Sequence, residues 1–227
     1  APEKALIPTT YYAKEAPIGQ IFSTHGKAGN VGVVGLGTGS VACYARSGQT
    51  YTYYEIDPLV AKYAKDPQHF TYLSECTPEA PIILGDGRLN LAAEPEGTFD
   101  LLLIDAFSSD SVPAHLLTVE ALDLYLSRLS DDGLLVMHIS NRHMDLSKIV
   151  ARIADHLNVP ARFQFYIPAE DVANDFAVSA SQVAILAKTD AVLAEFEANP
   201  GWAVLESDGR RPWSDDYSSV IGAILAK

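Results

Sequence analysis

The sequence is short of cysteine, of basic residues and of long apolar runs, and each shortage excludes something. Its two cysteines, Cys43 and Cys76, supply neither a multi-bridge scaffold nor a metal-ligand spacing. A single bridge between them stays open, so cysteine usage does not fix the compartment. Lys and Arg number 16 against 29 Asp and Glu, a formal net charge of -13. A domain this acidic is ill suited to a phosphate backbone, so no nucleic-acid partner is expected. It favours cations such as a polyamine or a sulfonium, although acidity also serves solubility alone. The six histidines show no paired spacing of the HExxH kind, so no metal is expected. No stretch approaches the ~18 apolar residues of a membrane span. No basic-then-apolar leader pattern opens the chain, and no internal repeat or low-complexity tract interrupts it.

What is present fits one substantial core: 227 residues, 48% of them hydrophobic. Residues 1–30 are loop-rich and polar. From Val31 the pattern changes to short buried strands alternating with helices. Strands are expected at Val31–Gly35, Tyr51–Glu55, Pro81–Leu84, Phe99–Ile104, Leu134–Ile139, Ala161–Tyr166 and Gln182–Ala187. Helices are expected from the first glycine turn to about Arg46, from Pro58, from the second glycine turn to about Ala93, and over Thr118–Leu129 and Leu146–Leu157. The almost uninterrupted apolar run Phe99–Ile104 suits a central parallel strand covered on both faces. Asp131-Asp132-Gly133 reads as a turn, and a last helix is expected near Ala191–Ala198. This alternation predicts an α/β domain with a doubly wound, mostly parallel sheet. Residues 1–30 would form an N-terminal extension, 31–188 the Rossmann-like domain, and 189–227 a C-terminal helix and loop packed on it.

Four stretches carry chemistry. The first is Gly35-Leu36-Gly37-Thr38-Gly39, a strand-to-helix turn whose glycines let a ligand approach the backbone. It has neither the GxGxxG spacing nor a P-loop lysine, and no basic residue stands between Val31 and Ala45 to meet a pyrophosphate. A phosphate-free nucleoside such as an adenosyl sulfonium therefore fits better than NAD. The second is Glu55, which ends the next strand in Tyr54-Glu55-Ile56-Asp57, where a carboxylate can accept hydrogen bonds from both ribose hydroxyls. The third is Gly85-Asp86-Gly87, where Asp86 suits an adenine amino group, a helix N-cap, or both. The fourth runs from Ile104 through Asp105-Ala106-Phe107-Ser108-Ser109-Asp110-Ser111-Val112-Pro113. Its two carboxylates and three hydroxyls follow the central strand and suit binding and deprotonating a cationic amine.

The series GLGTG, YEID, GDGR and IDAFSSDSVP resembles the polyamine aminopropyltransferases, the spermidine and spermine synthases. It looks closest to the spermidine-synthase-like domains fused to membrane segments in bacteria. The resemblance runs from about Tyr11 to Ala187. It implies the Rossmann-like sheet of S-adenosylmethionine-dependent methyltransferases, with decarboxylated S-adenosylmethionine as aminopropyl donor and a diamine such as putrescine as acceptor. It also places ribose binding on Glu55, adenine binding on Asp86, the base on Asp105 and the second loop carboxylate on Asp110. The donor site would be completed by Gly35, Gly37, Thr38, Gly39 and Gly87. Substrate contacts are expected from Tyr12, Gln20, Ser108 and Ser109, and from Asp215 and Asp216 in the Pro212–Ser218 tail beside Trp213. His138 reads as a core histidine, and Asn141-Arg142-His143 as pocket lining. The family's glycine turn carries an aspartate where this sequence has Thr38, as many methyltransferases do. Ala106-Phe107 lengthen the loop, and the family's N-terminal β-domain is almost absent.

Three functions stay open on these grounds: aminopropyl transfer, methyl transfer from S-adenosylmethionine, and non-catalytic sensing of an adenosyl ligand or polyamine. The expected partner is a small-molecule amine. Homodimerisation stays open. The chain starts without Met, and with the resemblance this suggests a soluble cytoplasmic domain cut from a membrane-attached protein.

Overall fold

A computed structural model describes residues 6–25, 29–106, 113–141, 144–170 and 178–219. One eight-stranded sheet runs in the order β3-β2-β1-β4-β5-β7-β6-β8. The strands are β1 (Asn30–Val34), β2 (Thr50–Glu55), β3 (Ile82–Leu84), β4 (Phe99–Ile104), β5 (Leu129–His138), β6 (Ala161–Tyr166), β7 (Ser181–Ala187) and β8 (Ala203–Val204). The first five pair in parallel, whereas β7 runs antiparallel to both β5 and β6, and β8 antiparallel to β6. The helices are α1 (Pro17–Thr24), α2 (Pro58–Lys65), α3 (Tyr72–Cys76), α4 (Gly87–Ala93), α5 (Val119–Arg128) and α6 (Leu146–Leu157), with a short one at Asp190–Leu193. This is the mostly parallel, doubly wound sheet of the methyltransferase type.

Strand alternation divides the core into two layers. Leu102, Ile104, Leu135 and Met137 face a layer shared with Leu122, Tyr125 and Ile153 of α5 and α6. Leu101, Leu103, Leu134 and Val136 face the other, shared with Ile18 and Ile21 of α1 and with Ala61 and Ala64 of α2. Because α1 buries Ile18 and Ile21 fully, the loop-rich reading of residues 1–30 is corrected there. Its apolar residues recur at helical spacing, and Pro17 occupies the tolerated first turn. Trp213, 2% exposed, also belongs to the core and ties the C-terminal tail to it.

Two local expectations shift. The segment after the first glycine turn is a single 3-10 stretch, Ser40–Tyr44, not a helix reaching Arg46. Residues 131–133, expected as a turn, lie within β5, which shifts register against β4 between Phe99 and Leu101. Gly133 permits this, because a Cβ there would stand 2.9 Å from the Phe99 carbonyl oxygen.

Cys43 and Cys76 form a disulfide that ties the 3-10 stretch to the end of α3, with Cα atoms 5.0 Å apart. The bridge closes a loop across a separation of 33 residues, which contains β2 and Glu55. A loop of that length stabilises the fold by about 3–4 kcal/mol in the chain-entropy account. Reduction, or Cys43→Ser with Cys76→Ser, is expected to lower the urea midpoint accordingly. An unchanged midpoint under reducing conditions would contradict a formed bridge.

Candidate functional site

The order of the strands reverses between β1 and β4. The chain leaves β1 toward β2 and leaves β4 toward β5, so a crevice opens beyond their carboxyl ends. Gly35 leaves β1 with φ +94°, its N–H donating to the Tyr54 carbonyl at 2.9 Å. The Asp105 N–H donates to the Val34 carbonyl at 2.8 Å. A Cβ on residue 35 would stand 2.3 Å from the Asp105 carbonyl oxygen, so only glycine fits there. Gly37 differs: the space beside it is open, with the Tyr12 hydroxyl nearest at 3.8 Å, and a ligand can reach its backbone. Thr38 is half-buried at the tip of the turn, and Gly39 packs on Leu73 of α3.

Glu55 is 7% exposed, and its carboxylate is held on both sides. Oε2 accepts the Leu36 N–H at 2.9 Å and Oε1 accepts the Asp57 N–H at 2.9 Å. Each oxygen keeps a lone pair, the requirement for receiving two vicinal hydroxyls. Asp86 caps α4, accepting the Leu89 N–H at 2.9 Å, while its other oxygen meets His115 Nε2 at 3.0 Å. Partial burial works to raise the Asp86 pKa. The N–H groups of Leu89 and Arg88 and the His115 ring outweigh burial and hold the carboxyl below its ordinary range. Gly87 follows because a Cβ there would meet Val34 Cγ1 at 2.4 Å. Glu55, Asp86, Gly87 and Asp105 line one cleft of about 530 Å³ together with Tyr11 and Tyr12, a size suited to a small-molecule ligand.

Asp105 follows β4 directly and is 7% exposed. The Tyr12 hydroxyl donates to its Oδ2. His138 Nδ1 stands 2.7 Å from its Oδ1. Tyr12 belongs to a single 3-10 turn, Thr10–Tyr12, that starts from an unusual φ of +59° at Thr10. Burial and then the Asp105 charge push the Tyr12 hydroxyl well above the ordinary tyrosine range, and Tyr11 is raised for the same two reasons. Both therefore stay protonated at neutral pH. His138, which the sequence suggests is a core residue, is thus a partner of the cleft carboxylate. Its place at the end of β5, beside the end of β4, is the signal that identifies it.

Other expected site residues lie elsewhere. The Gln20 amide donates to the Glu15 carbonyl at 2.6 Å and accepts from Asn199 at 2.9 Å, and it does not line the cleft. Asp215 receives a two-pronged ion pair from Arg88, both contacts at 2.7 Å, and a hydrogen bond from Thr118 at 2.8 Å. It lines a neighbouring pocket with Asp86, Arg88 and His115, outside the cleft lining, and Asp216 is exposed beside it. Ser108, Ser109 and Asp110 lie outside the described residues, as do Arg142 and His143. The described residues hold no group of three metal-ligating side chains and no helix long and apolar enough to cross a membrane.

Neither the protein-family models nor the curated proteins give a match to this sequence. Solved structures do. Spermidine synthase from Thermotoga maritima is 16% identical, with a TM-score of 0.58, over 89% of this chain and 67% of that one. The O-methyltransferase TomG from Streptomyces achromogenes, solved with SAM, is 14% identical at a TM-score of 0.54, over 77% and 80%. A SAM-dependent methyltransferase from Archaeoglobus fulgidus is 16% identical at 0.51, over 75% and 90%. Identities this low establish the fold, and the fold alone.

If Glu55 holds a ribose, Glu55→Ala is expected to weaken methylthioadenosine binding by roughly 1–3 kcal/mol. Titration calorimetry reads this directly, and unchanged affinity would remove Glu55 from the site.

Proposed function

We propose that this domain is a transferase for an adenosyl-sulfonium donor. It would move the aminopropyl group of decarboxylated S-adenosylmethionine to a diamine such as putrescine and release methylthioadenosine. The observation that supports this most is the buried Asp105 carboxylate, bonded to Tyr12 at the switch point of the same cleft that holds Glu55 and Asp86.

The sulfonium is already a good leaving group, so no acid is required of the chain. The difficulty is the nucleophile. With lysine as the model, an alkyl amine has a pKa near ~10, so about one molecule in a thousand is neutral at pH 7. In this reading Asp105 attracts the ammonium, orients it toward the donor carbon and takes its proton, which frees the nitrogen lone pair that forms the nitrogen–carbon bond as the carbon–sulfur bond breaks and its electron pair goes to sulfur. Tyr12 supplies a second polar contact for the amine. Glu55 holds the ribose, Asp86 the adenine amino group, and Gly37 and Thr38 flank the donor's side chain. Asp110, with Ser108 and Ser109, is assigned to amine binding. The net charge of -13 favours a polycation over an anionic acceptor.

Methyl transfer is the second reading, and Thr38 is what favours it. A carboxylate at that position would pair with the aminopropyl ammonium and repel the carboxylate of intact S-adenosylmethionine; threonine does neither. For the compartment, the Cys43–Cys76 bridge supports maturation under oxidising conditions over the expected cytoplasmic setting.

The test is mass-spectrometric detection of products from each donor with putrescine. Aminopropyl transfer predicts spermidine and methylthioadenosine. Asp105→Asn is expected to cut turnover by ~10²–10⁴ with methylthioadenosine affinity nearly intact, and Asp110→Asn to raise the amine KM more than it lowers kcat. Turnover only with S-adenosylmethionine and a nucleophile other than a polyamine would move methyl transfer ahead. Because of Thr38, the two donors should bind within a hundredfold of each other, and a larger preference for the decarboxylated form would show another group selecting it.

A further inference from the structure

Beneath Asp105 lies a polar chain with a fixed direction. It starts on β7, where the Gln182 N–H donates to Ser140 Oγ at 2.9 Å. Ser140 Oγ stands 2.7 Å from His138 Nε2. The Asp105 carboxylate can only accept, so the ring nitrogen that meets it is the donor, and the serine hydroxyl, which can both donate and accept, gives its own hydrogen to Nε2 of a neutral ring. A ring nitrogen that accepts a hydrogen bond carries no proton, so the hydrogen of a neutral ring sits on Nδ1. Nδ1–H then points at Asp105 Oδ1, 2.7 Å away. The His138 and Asp105 side chains are 3% and 1% exposed. The Tyr11 ring covers His138, with centroids 4.4 Å apart. Three of the elements packed here are the Thr10–Tyr12 turn, β5 and β7. Tyr11 and Tyr12 are the titratable groups that the first brings, and both keep their protons.

We propose that His138 is the positioning residue for Asp105: through its Nδ1–H it holds the carboxylate in one orientation, facing the cleft, with its charge partnered. A carboxylate this enclosed is costly without donors. Tyr12 and His138 supply one to each oxygen, and charge-assisted bonds of this kind are the strong ones. The two donors differ in kind. Tyr12 is on the cleft wall, where an amine can share or replace its contact. His138 is behind the carboxylate, backed by Ser140 and the β7 backbone, and does not line the cleft. Its role is therefore indirect and constant while substrates exchange. The inference rests on the aminopropyltransferase reading for its kinetic consequence but not for its geometry.

Two measurements on the full chain test it. Long-range proton–nitrogen correlation spectra of the resting protein should show the Nδ1–H tautomer for a histidine whose signals vanish in His138→Asn. The Nε2–H tautomer would overturn the proposal without any reference to activity. The second is kcat/KM against pH with decarboxylated S-adenosylmethionine and putrescine. His138→Leu, which removes the donor, should lose tenfold to a hundredfold at pH 7, about what one hydrogen bond to a charge is worth. The acidic limb of its profile should also move to higher pH. His138→Asn, whose amide N–H falls near the place of Nδ1, should recover most of the rate and restore the limb. Methylthioadenosine affinity, measured alongside, should be unchanged in both variants and confirms a folded donor site. A His138→Leu profile that keeps the wild-type limb, or His138→Asn no better than His138→Leu, would overturn the proposal. If the wild-type chain transfers no aminopropyl group, the functional reading fails on its own, and the tautomer decides the role of His138.

Discussion

The contact on which the site depends is the approach of two backbones at the end of the parallel strands. Gly35 and Asp105 come so close that no side chain fits on residue 35. This approach is a consequence of pairing β1 with β4 while the chain departs from them in opposite directions. It sets the floor of the crevice. It also fixes where Asp105 emerges, at the end of a strand whose every residue from Leu101 to Ile104 is buried. Rigidity in the sheet is what lets a carboxylate with little solvent access hold one position.

The cleft then sorts its carboxylates by the donors that surround them. Glu55 is held by two backbone N–H groups on the glycine turn and on its own strand end. Asp86 is held by the first turn of α4 and by His115. The Asp105 carboxylate is held by two side chains, Tyr12 and His138. Backbone donors cannot exchange without unfolding a turn, whereas a side-chain donor on the cleft wall, such as Tyr12, can yield to a ligand. In the proposed function, that difference suits fixed recognition of a nucleoside at the first two positions and exchange with an incoming amine at the third.

Much of this was legible in the sequence because it depends on local pattern. Strand ends followed by Gly35, Glu55, Asp86 and Asp105 mark the carboxyl edge of a parallel sheet, and the structure brings those four side by side. What local pattern could not give was anything set by long-range packing. The antiparallel pairing of β7 with both β5 and β6 puts Gln182 behind Ser140 and His138. Gln20 lies on α1, and the Asn199 contact turns its amide away from the cleft. Asp215 has a carboxylate in a promising tail, but Arg88 lies within reach and captures it. In both of the last two cases the partner is distant in sequence: Gln20 and Asn199 are 179 residues apart, Arg88 and Asp215 127.

The central claim is that one cleft places an adenosyl thioether and an amine on either side of Asp105. The most direct measurement is a crystal structure of the chain with methylthioadenosine and putrescine bound together. The account predicts ribose hydroxyls on Glu55, the adenine amino group at Asp86, and an amine nitrogen within hydrogen-bond distance of Asp105 or the Tyr12 hydroxyl, facing the thioether sulfur. Adenosine bound away from Glu55, or an amine seated far from Asp105 while the nucleoside occupies the cleft, would contradict it.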